Sequence, residues 1–191
     1  MKSSAVFLDR DGTINHDPGY LGDPDKVELL EGVGEALQIL QKQLNFKLIV
    51  VSNQSGVARG LITHEEVESV NKKINELLLK FEVQIDDFYC CPFHPDFNSL
   101  EEANCRKPSP QMIFNSAKKH NIDIKSSYMI GDSITDIECG ENAGLKTVLV
   151  LTGYGKEHIS LLHKVNKIPN FVALNLLAAA SFIQNDYSGV K

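Results

Sequence analysis

The sequence has little of what marks the specialised classes of protein. It has no excess of positive charge: its 191 residues carry 19 Lys+Arg against 25 Asp+Glu, a formal net charge of −6. A nucleic-acid binder shows a basic stripe or cluster, and none runs through this chain. Four cysteines are too few for a disulfide scaffold at this length, so reduced thiols in the cytoplasm are expected. No apolar run approaches the ~20 residues of a membrane span. After Lys2 only Ala5-Val6-Phe7-Leu8 precedes the first charges, too short for the core of a secretory leader. Internal repeats, low-complexity tracts and linkers are missing too. What remains is an ordinary globular composition, 42% hydrophobic and 23% charged, which excludes wholesale disorder. The length suits one domain over residues 1–191 with a core of normal size, and a monomer is expected.

Two periods of hydrophobicity alternate along the chain. Ala5–Leu8 is a short apolar run, and Val33, Ala36, Leu37, Leu40 and Leu44 then fall at helical spacing. Phe46–Val51 is β-branched and reads as a buried strand. Thr63-His64-Glu65-Glu66 has the form of a capping box, followed by a stripe of Val67, Val70, Ile74, Leu77, Leu78 and Phe81. Ile85–Cys91 reads as a third strand, and Ser109-Pro110 as a helix start with proline in the first turn. Tyr128–Ile130 and Thr147–Leu151 read as strands around a helix that stops at Gly144. A weak strand at Phe171–Ala173 and a helix around Leu176–Ile183 finish the pattern. Such alternation predicts a doubly wound α/β fold, its sheet mostly parallel and its helices on both faces. Residues 12–30 and 90–108 are the irregular stretches where function is expected.

Chemistry gathers at the ends of these strands. Asp9 and Asp11 stand two apart where the first apolar run stops, with Gly12 letting the chain turn away. Carboxylates so close repel unless a cation lies between them, and Mg2+ favours one or two carboxylates together with a phosphate. A solvated Asp-Gly turn gives the same residues. Ser52-Asn53-Gln54-Ser55 follows the second strand with hydroxyl and amide donors. Arg106-Lys107 precedes a helix, where cations and helix amides meet anions. Asp132 and Asp136 end the fourth strand with a second acidic pair. Each segment alone has a bland explanation as cap, surface charge or turn; the order acid, hydroxyl, base, acid does not.

In that order the segments resemble the haloacid dehalogenase (HAD) superfamily of phosphotransferases across essentially the whole chain. Leu8-Asp9-Arg10-Asp11-Gly12-Thr13-Ile14-Asn15, Asp17-Pro18-Gly19-Tyr20, Ser52 through Gly60 and Cys105-Arg106-Lys107-Pro108 narrow the resemblance. They are similar to the subfamily of D-glycero-D-manno-heptose 1,7-bisphosphate 7-phosphatases and histidinol-phosphate phosphatases. The resemblance implies a HAD-like Rossmannoid sheet, and the spacing of the motifs leaves no room for a large cap domain. It implies a Mg2+-dependent phosphomonoesterase with Asp9 as nucleophile and Asp11 as general acid and base. Ser52 and Lys107 would hold the transferring phosphoryl oxygens, Lys107 serving the phosphate rather than the fold. Mg2+ would bind Asp9, the Asp11 carbonyl and Asp132, while Asp136 would orient Lys107 or the loop rather than ligate the metal. Asp17, Gly19, Tyr20, Asn53, Gln54, Ser55 and Arg106 match positions that contact a sugar phosphate, in bacterial cell-envelope heptose synthesis. The family's Lys after the second acidic motif is Ser133 here, which removes a charge beside the substrate.

Close relatives also carry a four-ligand zinc loop before Arg-Lys-Pro. Here Cys91 and Cys105 survive, but the other two positions are Phe93 and Ala103. Structural zinc sites are almost always four-coordinate, so zinc is expected to be absent, with Phe93 packing the loop and both cysteines reduced. His94 lies one residue off, and Cys90 falls on the opposite face of an extended strand. Two other classes remain to be weighed. A receiver domain would place its phosphoacceptor after the third strand, where Cys90-Cys91-Pro92-Phe93-His94 stands instead. A non-catalytic binding module would not need the intact set Asp9, Asp11, Ser52, Lys107 and Asp132.

Overall fold

A computed structural model describes residues 2–188. Six parallel strands form one sheet in the order β3-β2-β1-β4-β5-β6. The strands are β1 (Ala5–Leu8), β2 (Lys47–Asn53), β3 (Asp87–Cys91), β4 (Tyr128–Gly131), β5 (Lys146–Val150) and β6 (Phe171–Ala173). The helices between and after them are α1 (Val33–Gln38), α2 (His64–Leu78), α3 (Gln111–Lys119), α4 (Ile134–Ala143), α5 (Gly155–Lys164) and α6 (Leu176–Ser188). Strand order reverses between β1 and β4, so a crevice opens at their carboxyl ends. The stretches between strands hold only these helices and loops. Among the described residues no helix is long and apolar enough to cross a membrane.

The period of two along each strand divides the core. Val6, Leu8, Leu48, Val50 and Ile130 face α1, α2 and α6, and Val70, Ile74, Leu78 and Ile183 pack onto them. Ala5, Phe7, Ile49, Val51 and Met129 face the other way, against Met112 and Ile113 of α3 and Cys139 of α4. Leu149 meets Ile137 and Leu162 on α4 and α5. A fully buried side chain such as Phe7 is worth about 3–5 kcal/mol against truncation to Ala.

Two of the expected caps are present, while Pro110, expected in the first turn of α3, stands just before it as the N-cap. Thr63 accepts from the Glu66 N–H while the Glu66 carboxylate accepts from the Thr63 N–H, closing the capping box of α2. Gly144 ends α4 with φ 80°. Two elements differ from expectation. The helix through Leu44 is regular only to Gln38 and continues as a wider π turn over Ile39–Gln43. Helix α5 is new; it starts at a glycine and turns Ile159 and Leu162 onto Ile137 and Leu149.

Candidate active site

The crevice forms where β1, β2 and β4 end. Asp9 leaves β1 with its N–H bonded to Ile130 of β4 at 2.9 Å. Gly12, at φ 79°, then turns the chain back. A side chain there would be impossible on space alone, since a Cβ on Gly12 or on Gly153 would fall 2.2 or 2.0 Å from Asp132 Oδ2. Both glycines thus make room for one carboxylate. Asp132 also accepts from the Tyr154 N–H at 2.8 Å, and Thr152 Oγ1 donates to the Gly12 carbonyl at 2.6 Å. The loop after β5 is therefore bolted to the loop after β1.

Lys107 lies at the centre. Its side chain is 3% exposed, and Nζ sits 2.6 Å from both Asp9 Oδ1 and Asp136 Oδ1. Burial opposes its charge, but Asp136 and Asp9 outweigh that and hold the ammonium pKa above its ordinary value. Asn53 clasps the same residue by its backbone, accepting from the Lys107 N–H at 2.9 Å and donating to its carbonyl at 3.2 Å. Asp136 is fully buried and doubles as the cap of α4, accepting from Ser133 N–H and Oγ at 3.0 and 2.6 Å. The expected orienting role of Asp136 fits this geometry. The expectation that Lys107 leaves the fold untouched does not, because a cation enclosed by two buried acids cannot be removed without exposing their repulsion.

The acids outnumber that cation. Carboxylate oxygens of Asp9, Asp132 and Asp136 all lie within 4.8 Å of one another. Burial pushes the Asp132 carboxyl up to about 7, with Asp136 adding to it. Burial also lifts Asp9 well above the carboxylate range, against the pull of Lys107. Both oxygens of Asp136 are engaged, Oδ1 by Lys107 and Oδ2 by Ser133, so Asp9 and Asp132 offer the hard oxygen ligands that suit Mg2+.

Asp11 points to the other side of the crevice. Arg10 Nη2 donates to its Oδ2 at 2.9 Å, Asn15 Nδ2 to Oδ1 at 2.9 Å and Gln54 Nε2 to Oδ2 at 2.8 Å. The same Gln54 amide reaches Ser52 Oγ at 2.9 Å, joining the hydroxyl to the acid. The outer wall carries Asp17, Gly19, Tyr20, Ser55 and Arg106. Asp17 Oδ1 accepts from the Gly19 N–H at 2.7 Å, a local turn that sets Tyr20 against Gly56. Burial and the neighbouring Arg59 push the Arg106 pKa down, and its buried Nη1 has no hydrogen-bond partner among the described residues.

Every site residue read from the sequence borders this one crevice. Three bordering residues were not read from the sequence as site residues: Gly56, Thr135 and Tyr154. Tyr154 follows a strand with no motif of its own and arrives by tertiary packing. Ser133 borders the crevice, but its Oγ turns back onto Thr135 and Asp136.

The loop before Arg106 corrects one expectation. Cys91 and Cys105 are not reduced thiols; they form a disulfide, with Cα atoms 5.5 Å apart. The loop between them returns to its origin, bringing two sulfurs together where the other two zinc positions hold Phe93 and Ala103. Phe93 packs against the core cluster that contains Cys91, as expected. His94 turns to its own loop, accepting from the Asp96 N–H at 3.2 Å. Cys90 faces α2, where Asn71 Nδ2 lies 3.7 Å from its sulfur.

Comparison with known proteins gives a consistent picture. A family profile described as HAD-hydrolase-like matches residues 104–179. The chain is 38% identical to a D-glycero-D-manno-heptose-1,7-bisphosphate 7-phosphatase of Chlorobaculum tepidum, covering 95% of this chain and 94% of that one. It is 42% identical over 154 residues to the Escherichia coli (strain K12) D-glycero-beta-D-manno-heptose-1,7-bisphosphate 7-phosphatase, 78% of this chain and 80% of that one. Among solved structures, the D,D-heptose 1,7-bisphosphate phosphatase of B. bronchiseptica, complexed with magnesium and phosphate, superposes with a TM-score of 0.84. It is 28% identical and covers 96% of this chain and 99% of that chain.

Proposed function

This chain belongs to the HAD-like phosphatase family that holds the D-glycero-D-manno-heptose-1,7-bisphosphate 7-phosphatases, and we propose that it removes the 7-phosphate of that heptose bisphosphate. As a family member it is a phosphoric monoester hydrolase. The observation that carries the mechanism is the Asp9 carboxylate held 2.6 Å from the buried Lys107 ammonium in the crevice.

The reaction runs in two displacements. Asp9 attacks phosphorus and the sugar oxygen departs, leaving an aspartyl-phosphate. Asp11 gives that oxygen its proton, then takes one from the water that releases phosphate and frees Asp9. Lys107 and Ser52 hold the equatorial oxygens, where negative charge gathers. Asp9, the Asp11 carbonyl and Asp132 would hold Mg2+, which would supply the positive charge that lets a phosphate approach three acids. Arg106 and the Asp17–Gly19–Tyr20 turn, with Ser55, border the outer crevice and contact the rest of the sugar phosphate. Asn53 and Gln54 act through their grip on Lys107 and Asp11.

The partner is a small sugar phosphate, in cell-envelope heptose synthesis. The protein works as a cytoplasmic monomer and single domain over 1–191, without a large cap and without nucleic-acid or membrane partners. Zinc has no place in this proposal, because Phe93 and Ala103 cannot ligate and the two sulfurs are bonded to each other. The test is Mg2+-dependent phosphate release measured in parallel on both anomers of the heptose bisphosphate, histidinol phosphate and fructose 1,6-bisphosphate. One heptose anomer should give the highest kcat/KM, and Asp9→Asn should abolish it. A tenfold advantage for histidinol phosphate would overturn the substrate assignment.

A further inference from the structure

Arg10 is the largest fully buried side chain among the described residues, and nothing in the mechanism above uses it. Its backbone is the hub of the loop after β1: the Arg10 carbonyl accepts from the N–H groups of Thr13, Ile14 and Asn15 at 3.4, 2.8 and 3.2 Å. The loop winds around that carbonyl and sends the side chain beneath the crevice towards α2. There the guanidinium meets Asp11. Nε lies 3.2 Å from both carboxylate oxygens, and Nη2 lies 2.9 Å from Oδ2. The remaining nitrogen, Nη1, donates to Asn71 Oδ1 at 3.1 Å. Asn71 is itself buried on α2.

A buried ion pair of this kind is a poor stabiliser, since the desolvation of both charges offsets most of their attraction. What it provides is geometry. A planar guanidinium that spans both oxygens fixes the orientation of the carboxylate as well as its position. The Asn15 and Gln54 amides complete the shell but bring no charge.

We propose that Arg10, braced by Asn71, is a positioning residue that holds the Asp11 carboxylate for proton exchange with the leaving oxygen. The proposal rests on the reading of Asp11 as general acid and base. When the phosphorus–oxygen bond breaks and Asp11 surrenders its proton, the new carboxylate is the group that Arg10 pairs with. When water later returns a proton to Asp11 and attacks the aspartyl-phosphate, the pair relaxes. The guanidinium keeps its own proton throughout.

The leaving group tests this. A sugar oxygen needs a proton to depart and p-nitrophenolate does not. Because kcat/KM reports only steps up to the first irreversible one, it isolates the cleavage in which Asp11 acts as acid. Arg10→Met, Asn71→Leu and Asp11→Asn are assayed with Mg2+ on the heptose bisphosphate and on p-nitrophenyl phosphate, with thermal unfolding followed alongside. Arg10→Met should lower kcat/KM about 100-fold on the sugar phosphate and less than about tenfold on the aryl phosphate. Asn71→Leu should show the same bias at smaller size, and decides the matter if Arg10→Met does not fold. Equal losses on both substrates would make the pair merely structural and overturn the proposal. Two failures stay distinguishable. If Asp11→Asn itself shows no bias, the general-acid reading falls and this inference with it. If Asp11→Asn is biased and the Arg10 and Asn71 variants are not, only the positioning role falls.

Discussion

Lys107 carries two duties that pull its mutant in separate directions. Lys107→Ala removes the donor that the proposed mechanism aims at the transferring phosphoryl group, which should cost about 3–4 kcal/mol in kcat/KM. The same change strands Asp9 and Asp136 beside Asp132, and losing one partner of a buried pair costs about 3–5 kcal/mol. The thermal midpoint of Lys107→Ala should therefore fall in EDTA and recover in part with Mg2+; an unchanged midpoint in EDTA would contradict the enclosure seen at 3% exposure. Ser133 allows a gain instead. Ser133→Lys restores the cation that the family places there, so KM for the sugar phosphate should drop while kcat holds. The cost is the cap of α4, about 1 kcal/mol, read as a lower midpoint. At this scale the sequence was highly legible, because Asp9, Ser52 and Asp132 lie at strand ends and Lys107 in the loop before α3, in a fixed order. It was silent on Tyr154, whose place depends on a hydrogen bond to Asp132, and on the burial of Arg10, which is one charged residue among others until α2 covers it.

Among the elements, the loop between β3 and α3 is the one whose chemistry the sequence misled about. Counting ligands led correctly to Phe93 as packing, but no count of cysteines shows that Cys91 and Cys105 approach across a separation of 14 residues. A bridge closing a loop of this size is worth about 3 kcal/mol through the unfolded chain. Dithiothreitol or Cys105→Ser should lower the thermal midpoint accordingly, while a zinc chelator leaves it unmoved; the opposite pattern would restore a metal to this loop. Helix α6 is held by a different device. Tyr128 Oη and Lys146 Nζ both donate to Asp186 Oδ2, at 2.5 and 2.6 Å, tying β4 and β5 to the end of the chain. Lys146 first, then Tyr128, keeps the Asp186 carboxyl below its usual range. A lowered pKa adds stability above the unfolded value near ~3.9 and loses it as pH falls through the folded one. Wild type should thus exceed Asp186→Asn in stability at pH 6, and the gap should close as pH falls below the unfolded value. The side chains are partly exposed, so the gap should be no more than about 1 kcal/mol.

Over the whole molecule, the alternation of strand and helix sufficed to give the parallel sheet and its two covered faces. Odd and even residues of β1 divide between them in the structure as the period of two requires. What the alternation could not give was strand order, since nothing local in Ala5–Leu8 says that its neighbours will be Lys47–Asn53 on one side and Tyr128–Gly131 on the other. That order has a consequence in time. Strand β1 precedes the other five strands in the chain yet becomes a central one, and the contacts that finish the crevice are far apart: 98 residues from Asp9 to Lys107 and 140 from Gly12 to Thr152. Long-range parallel pairing is slow, because loop closure precedes any reward. The nascent chain therefore exposes Asp9 long before its counter-charge Lys107 and the second acidic pair emerge. In refolding from urea, intrinsic helix signals should return first and phosphate-releasing activity in the last kinetic phase, so that this catalyst passes most of its synthesis as an unfinished and inert chain.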